Sequence, residues 1–177
     1  MSYLSVYHQS SPADPHKVLT HRDDIVATLA EHGVRFERCR ADAAIQPGGS
    51  GEDVIGGCRE QVDRLMTEHG FAASRVISVD EVQAHMAEFN DEHVHAAVEL
   101  CWFVAGGGQL TLRSDDFIFA VQCDRHYLVT IPSGMRRWFD LGEQARCAII
   151  RLFRDEQGAQ PSFTGDSIAR QLPRCDD

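Results

Sequence analysis

The chain has 177 residues, 43% apolar and 25% charged, a composition that suits one globular domain with a core of its own. A formal net charge of −10, with lysines and arginines scattered rather than clustered, argues against nucleic acid and anionic membranes as partners. No apolar run reaches the roughly 20 residues that span a bilayer, and the stretch from Met1 to Lys17 lacks the order of a secretion signal, so a cytoplasmic protein is expected.

In chain order, Tyr3 to Tyr7 reads as a short strand, and Asp23 to His32 as a helix with Ile25, Val26, Leu29 and Ala30 at helical spacing, closed by Gly33. Val34 to Cys39 alternates like a strand, and the glycine-rich stretch Ile45 to Gly51 is a loop. Ser50 or Gly51 then starts a helix whose apolar stripe (Val54, Ile55, Cys58, Val62, Leu65, Met66) stops at Gly70. Arg75 to Val79 is a further strand.

From Asp91 the texture changes to short β-branched and aromatic segments between turn signals: Val94 to Ala105, Gln109 to Arg113, Phe117 to Gln122, Tyr127 to Ile131, Arg137 to Leu141 and Arg146 to Phe153. Strands at this spacing predict a closed or sandwiched antiparallel sheet, which removes exposed edges. Cys39, Cys58, Cys101, Cys123, Cys147 and Cys175 include no C-x-x-C pair and read as reduced thiols.

Chemistry concentrates at His93, His95 and Glu99. On a single strand their even spacing would point all three into the interior, and two imidazoles with a carboxylate suit non-haem iron, manganese, nickel or zinc. The bland alternative is a set of solvated polar residues near a strand end. With Gly106 as the glycine of the following hairpin, His93-x-His95-x3-Glu99-x6-Gly106 resembles the first motif of the cupin superfamily. The second such motif supplies one more histidine after a P-x-G turn, but here Pro132-Ser133-Gly134 leads to Arg137. His126, at the start of the strand leading to Pro132, is a weaker substitute-ligand candidate. The remaining histidines have no partner spacing.

Over nearly its whole length the chain resembles the acireductone dioxygenase family. The resemblance rests on Gly33 to Arg38, on Asp91-Glu92-His93-Val94-His95 with Glu99, on Trp138 to Gly142 and on Phe163 to Ala169. It implies a mainly β cupin double-stranded barrel (jelly roll) with a few N-terminal helices packed outside. The expected organisation is one domain: an N-terminal α/β elaboration over 1–90, a metal-binding barrel over 91–155 and a tail over 156–177. It also implies a metal held by His93, His95 and Glu99, with iron(II) expected and nickel(II) or manganese(II) as alternatives.

The chain departs from the family pattern at two pocket positions. Arg137 stands where the family has its fourth ligand, and Cys101 where it typically has a substrate-holding arginine. A guanidinium stays protonated and is a poor ligand, so the metal would keep three protein ligands, a facial triad with open positions. Arg137 either pairs with substrate oxygen or turns outward to Asp140 or Glu143, and Cys101 either packs or takes part through its thiol. These two are the candidate catalytic residues.

The expected function is an Fe(II) dioxygenase that uses O2 to cleave a carbon–carbon bond in a small chelating enediol, hydroxyketone or dihydroxy-heteroaromatic compound. The alternatives are acireductone cleavage itself, a non-catalytic metal-binding cupin and a metal-dependent isomerase. A monomer or small homo-oligomer is expected.

Overall fold

The computed structural model describes residues 1–80 and 87–175, without the side chains of residues 87 and 88. Strands β1 (Tyr3–His8), β2 (Lys17–Leu19), β3 (Arg35–Arg38) and β4 (Ala73–Asp80) are interleaved with helices α1 (Arg22–Ala30), α2 (Gly51–Gly57) and α3 (Arg59–His69). After the short helix α4 (Ala87–Asn90) come β5 (His93–Val94), β6 (Glu99–Gly106), β7 (Gly108–Ser114), β8 (Phe117–Cys123), β9 (Tyr127–Ile131), β10 (Arg136–Asp140), β11 (Arg146–Phe153) and β12 (Ser162–Phe163).

These strands form two antiparallel sheets, in the orders β12-β5-β10-β7-β8-β1-β2 and β3-β9-β6-β11-β4. Both sheets therefore draw strands from outside 91–155. Alternate residues of each strand meet between the sheets: Leu4 and Val6, Cys101 and Phe103, Leu110 and Leu112, Phe119 and Val121, and Phe139 share one buried cluster.

The opposite face of the second sheet is also covered. Leu100, Trp102, Val104, Ile150 and Leu152 pack with Val54, Cys58 and Val62 of the α2–α3 segment. Trp138 packs on the outer face of the first sheet with Tyr7, Ile118, Ile168 and Leu172. Burial on both faces explains why β6 and β11 read as almost continuous apolar runs rather than as alternating strands. Helix α1 packs on the barrel through Ile25 and Leu29, which belong to the same buried cluster as the interior residues.

Three local expectations are corrected. The single helix read from Ser50 or Gly51 to Gly70 is two helices that break at Cys58, whose ψ of 19° leaves the helical range. Gly57 lies against Ile45, so closely that a Cβ would strike its Cδ1. The strand read from Val94 to Ala105 is interrupted between β5 and β6. Gly106 does not turn a hairpin either: β6 pairs with β9 and β11 while β7 pairs with β8 and β10, so the chain there crosses from one sheet to the other.

Gly106 makes that crossing at φ +59, and a Cβ on it would overlap the carbonyl oxygen of Arg146. Neither the backbone angle nor the clash can be relieved by a side-chain rotation. Gly106→Ala is therefore expected to lower unfolding stability by at least about 2 kcal/mol in urea titration, a large effect for a single methyl group.

Candidate metal centre

Three elements carry the site. β5 lies between β10 and β12, with His93 opposite both Arg137 and Phe163. The segment after β5 is tied to the Pro132 turn by Gly134 N–H donating to the His95 carbonyl at 2.9 Å and Ser133 Oγ donating to the Ala96 carbonyl at 3.1 Å. In the other sheet, Glu99 begins β6, and Cys101 lies directly opposite Arg151 of β11. His93, His95 and Glu99 thus come from two sheets and a connecting segment, and are brought near one another although they do not share one strand.

All three are buried, as are Arg137 and Arg151. His93 Nδ1 is 2.8 Å from the Asp91 carbonyl and His95 Nδ1 is 3.0 Å from the Gly158 carbonyl. A carbonyl only accepts, so each ring carries its proton on Nδ1 and presents the Nε2 lone pair. His93 Nε2 has no hydrogen-bond partner among the described residues. His95 Nε2 is 3.1 Å from Arg151 Nη2 and 3.8 Å from Glu99 Oε1. Burial is the main cause that pushes both imidazoles down, to a pKa of about 4 in each case.

Glu99 is the centre of the charge arrangement. Arg137 Nη1 donates to Oε1 at 2.8 Å, Arg151 Nη2 donates to Oε1 at 3.1 Å, Arg151 Nε donates to Oε2, and Cys101 Sγ donates to Oε2 at 2.8 Å. Burial alone would raise this carboxyl, but Arg151 and Arg137 hold it well below the ordinary carboxylate range. Burial and the neighbouring Glu99 push the Cys101 thiol well above its usual value, so it stays protonated and serves as a donor rather than a nucleophile.

Arg137 points inward, not to Asp140, whose carboxylate accepts instead from the Gly142 and Cys175 backbone N–H groups. His126 lies at the far end of β9 and its Nδ1 accepts from Ala41 N–H at 2.9 Å, so it is not brought to the site. His85 is outside the described residues.

Arg151 is the residue the sequence reading passed over. It carries a charge inside the otherwise apolar run of β11, and such a residue must find a buried partner. Its guanidinium lies 5.1 Å from the Phe139 ring centroid and 5.5 Å from that of Phe153. Glu92 and Arg113 form a second buried pair at 3.3 Å beside β5, extended by Asp166 at 3.1 Å from Arg113 and by Thr164 Oγ1 donating to Glu92 at 2.7 Å.

A family model for the ARD/ARD' family matches residues 4–161. The chain belongs to that family. It is 52% identical to an acireductone dioxygenase of Pseudomonas fluorescens (strain Pf-5) and 50% identical to one of Stutzerimonas stutzeri, with all of both chains covered in each case. An acireductone dioxygenase structure from Bacillus anthracis, with cadmium in its active centre, superposes with a TM-score of 0.74 at 20% identity over 92% of this chain and 98% of that one, which supports the cupin fold. The family consists of metal-dependent dioxygenases, and this member is an enzyme of that class. No helix among its described residues is long and apolar enough to cross a membrane.

The donor chemistry of this family member fits a divalent ion: two neutral imidazoles fixed through Nδ1, each with a free or exchangeable Nε2, beside a carboxylate. Two atoms bound to one ion at about 2 Å lie at most about 4 Å apart, and the 3.8 Å between His95 Nε2 and Glu99 Oε1 meets that limit. Among the described residues, however, no group of three such side chains is already gathered around one point.

Glu99 also compensates two buried cations, so Glu99→Gln is expected to destabilise metal-free protein by about 3–5 kcal/mol in denaturant unfolding. A stability equal to that of the parent would mean the carboxylate does not hold the arginines.

The imidazoles give a separate pH signature. Unfolded, they bind protons near pH 6.5, whereas folded they do so only near 4. Their contribution is complete above pH 6.5 and falls as the pH drops toward 4, by up to about 1 kcal/mol per pH unit for each ring. Below pH 4.5 the depressed Glu99 carboxyl adds a further loss. Unfolding free energies of chelator-treated protein between pH 8 and 4 should follow this curve, and a His93→Asn, His95→Asn double variant should flatten its upper part.

Proposed function

We propose that this enzyme uses O2 to cleave a carbon–carbon bond in a small enediol of the acireductone kind, with His93, His95 and Glu99 as the protein ligands of its metal. The observation that carries this reading is the paired tautomer constraint, which presents two imidazole lone pairs beside a buried carboxylate. Iron(II) is the proposed ion, with nickel(II) or manganese(II) as alternatives. Bound at these donors, the ion would supply the Lewis acidity that gathers a chelating enediol and makes its electrons available to O2.

The protein's own residues then divide the work. The carbonyls of Asp91 and Gly158 keep both rings in one tautomer and orientation. Arg151 fixes the Glu99 carboxylate by two hydrogen bonds and is itself stacked against Phe139 and Phe153, so the carboxylate cannot rotate freely. Two guanidinium cations against one carboxylate leave the pocket with excess positive charge, which favours an ionised enediol over its neutral form. Phe139 and Phe153 line the same space with apolar surface and help to exclude water.

A second reading has its own support. Arg137 and Cys101 both touch Glu99, so both departures from the family pattern fall inside the pocket, as expected if the enzyme acts on a chelating substrate other than acireductone. Protein loaded with Fe(II) under reducing conditions should consume O2 with acireductone, and His93→Ala or His95→Ala should reduce the rate to that of the uncatalysed reaction. Uptake only with other hydroxyketones or dihydroxy-heteroaromatics would favour the second reading. Absence of O2 uptake with every compound would rule out both.

A further inference from the structure

Glu99 is proposed as a metal ligand, yet its carboxylate is already saturated. It accepts from Arg137 Nη1, from Nη2 and Nε of Arg151 and from Cys101 Sγ, and a carboxylate offers about four lone-pair positions. An ion can reach Glu99 only by displacing one of these donors.

The geometry identifies the donor that gives way. Arg151 holds Glu99 with two of its nitrogens and lies against two phenylalanine rings, so its full release would break a bidentate pair; its Nη2, which also contacts His95 Nε2 at 3.1 Å, has only to turn from that lone pair while Nε keeps Oε2. Arg137 makes one bond to Glu99, on Oε1, the oxygen 3.8 Å from His95 Nε2. Its remaining contacts are to backbone carbonyls of its own turn: Nε donates to Met135 at 3.0 Å and Nη2 to Pro132 at 3.3 Å. Loss of the Glu99 bond therefore leaves the side chain anchored.

Charge points the same way. Arg137 is fully buried, and with Arg151 it already outweighs the single negative charge of Glu99. Glu92, the other buried acid beside β5, is engaged by Arg113. A divalent ion entering this pocket meets a net cation in a water-poor environment, where like-charge repulsion is strong.

We propose that Arg137 is an internal cation that competes with the metal for Glu99. The inference rests on His93, His95 and Glu99 being the ligands. Arg137 fills a hydrogen-bond position on Glu99 Oε1 in the metal-free barrel, and the ion is held weakly and exchangeably because it must displace this guanidinium from Oε1. The Nη1 donor freed by that exchange stays in the pocket, where an anionic substrate oxygen replaces Glu99 as its acceptor.

The test is Co(II) binding to the full chain after chelator treatment, followed by calorimetry and by visible absorption, with circular dichroism to confirm folding. Arg137→Gln and Arg137→Met remove the cation without adding an imidazole, and should bind Co(II) about 10- to 100-fold more tightly than the parent. Arg137→Lys keeps the charge and should bind as weakly as the parent. If the methionine variant fails to fold, the glutamine and lysine pair carries the comparison.

Equal affinity in the parent and the glutamine variant, or a lysine variant as tight as the glutamine one, overturns the competition while leaving the ligand set intact. If no form binds Co(II) stoichiometrically, or if binding survives the loss of both His93 and His95, the ligand assignment fails and the competition fails with it.

Discussion

The site depends on one buried carboxylate that answers two buried guanidiniums across the barrel. Glu99 and Arg151 belong to one sheet and Arg137 to the other, so the ion pairs join the two sheets at the point where the histidines converge. A buried charge without a partner is costly, and both guanidiniums are therefore held in place by Glu99 as it is by them. Preorganisation follows from this coupling: Glu99 is oriented before any ligand arrives, and Cys101 adds a fourth donor that leaves it no alternative rotamer partner. The same coupling makes the centre most sensitive to Glu99, because its removal leaves both guanidiniums without a counter-charge, whereas Arg151 and Glu99 still cancel without Arg137.

The histidines depend on a second set of contacts. His93 is fixed from both sides, by Arg137 on β10 and by Phe163 on β12, and its ring lies 5.8 Å from that of Phe163. β12 is only two residues long and exposed, too little to hold itself in place. The Glu92–Arg113–Asp166 network and the Thr164 hydroxyl anchor it to the barrel, and Thr164 N–H donates to the Glu92 carbonyl at 3.1 Å. The run from Phe163 to Ala169, part of the resemblance seen in the sequence, thus has a structural task at the edge of the site.

Much of this was legible in the sequence. Strand parity placed Glu99, Cys101 and Phe103 on one face, and the structure finds all three inside with Trp102 on the opposite face. What parity could not show was the interruption between β5 and β6. Ala96 to Val98 contain no glycine or proline to mark a break, and it is tertiary hydrogen bonds from Ser133 and Gly134 that hold this segment out of the strand. The α2–α3 break was hidden for a similar reason, since the apolar stripe runs through it and the close packing of Gly57 on Ile45 is a long-range contact. Arg151 did leave a signal, a cation in the middle of an apolar run, but the sequence alone did not name Glu99 as its partner.

A permanent cation at position 137, where the family resemblance leads one to expect a neutral imidazole, changes what the pocket can stabilise. With an imidazole in the fourth position, the site's charge would be that of Arg151 and Glu99, which cancel; with Arg137 it is positive before any ion is bound. Binding of an anionic substrate then offsets the charge of both the ion and the arginine, so ion and substrate should favour each other's binding even without direct contact. A three-ligand centre of this kind would be weakly loaded at rest and would tighten when the enediolate arrives. In such a site the affinity of the metal is governed as much by the substrate as by the protein.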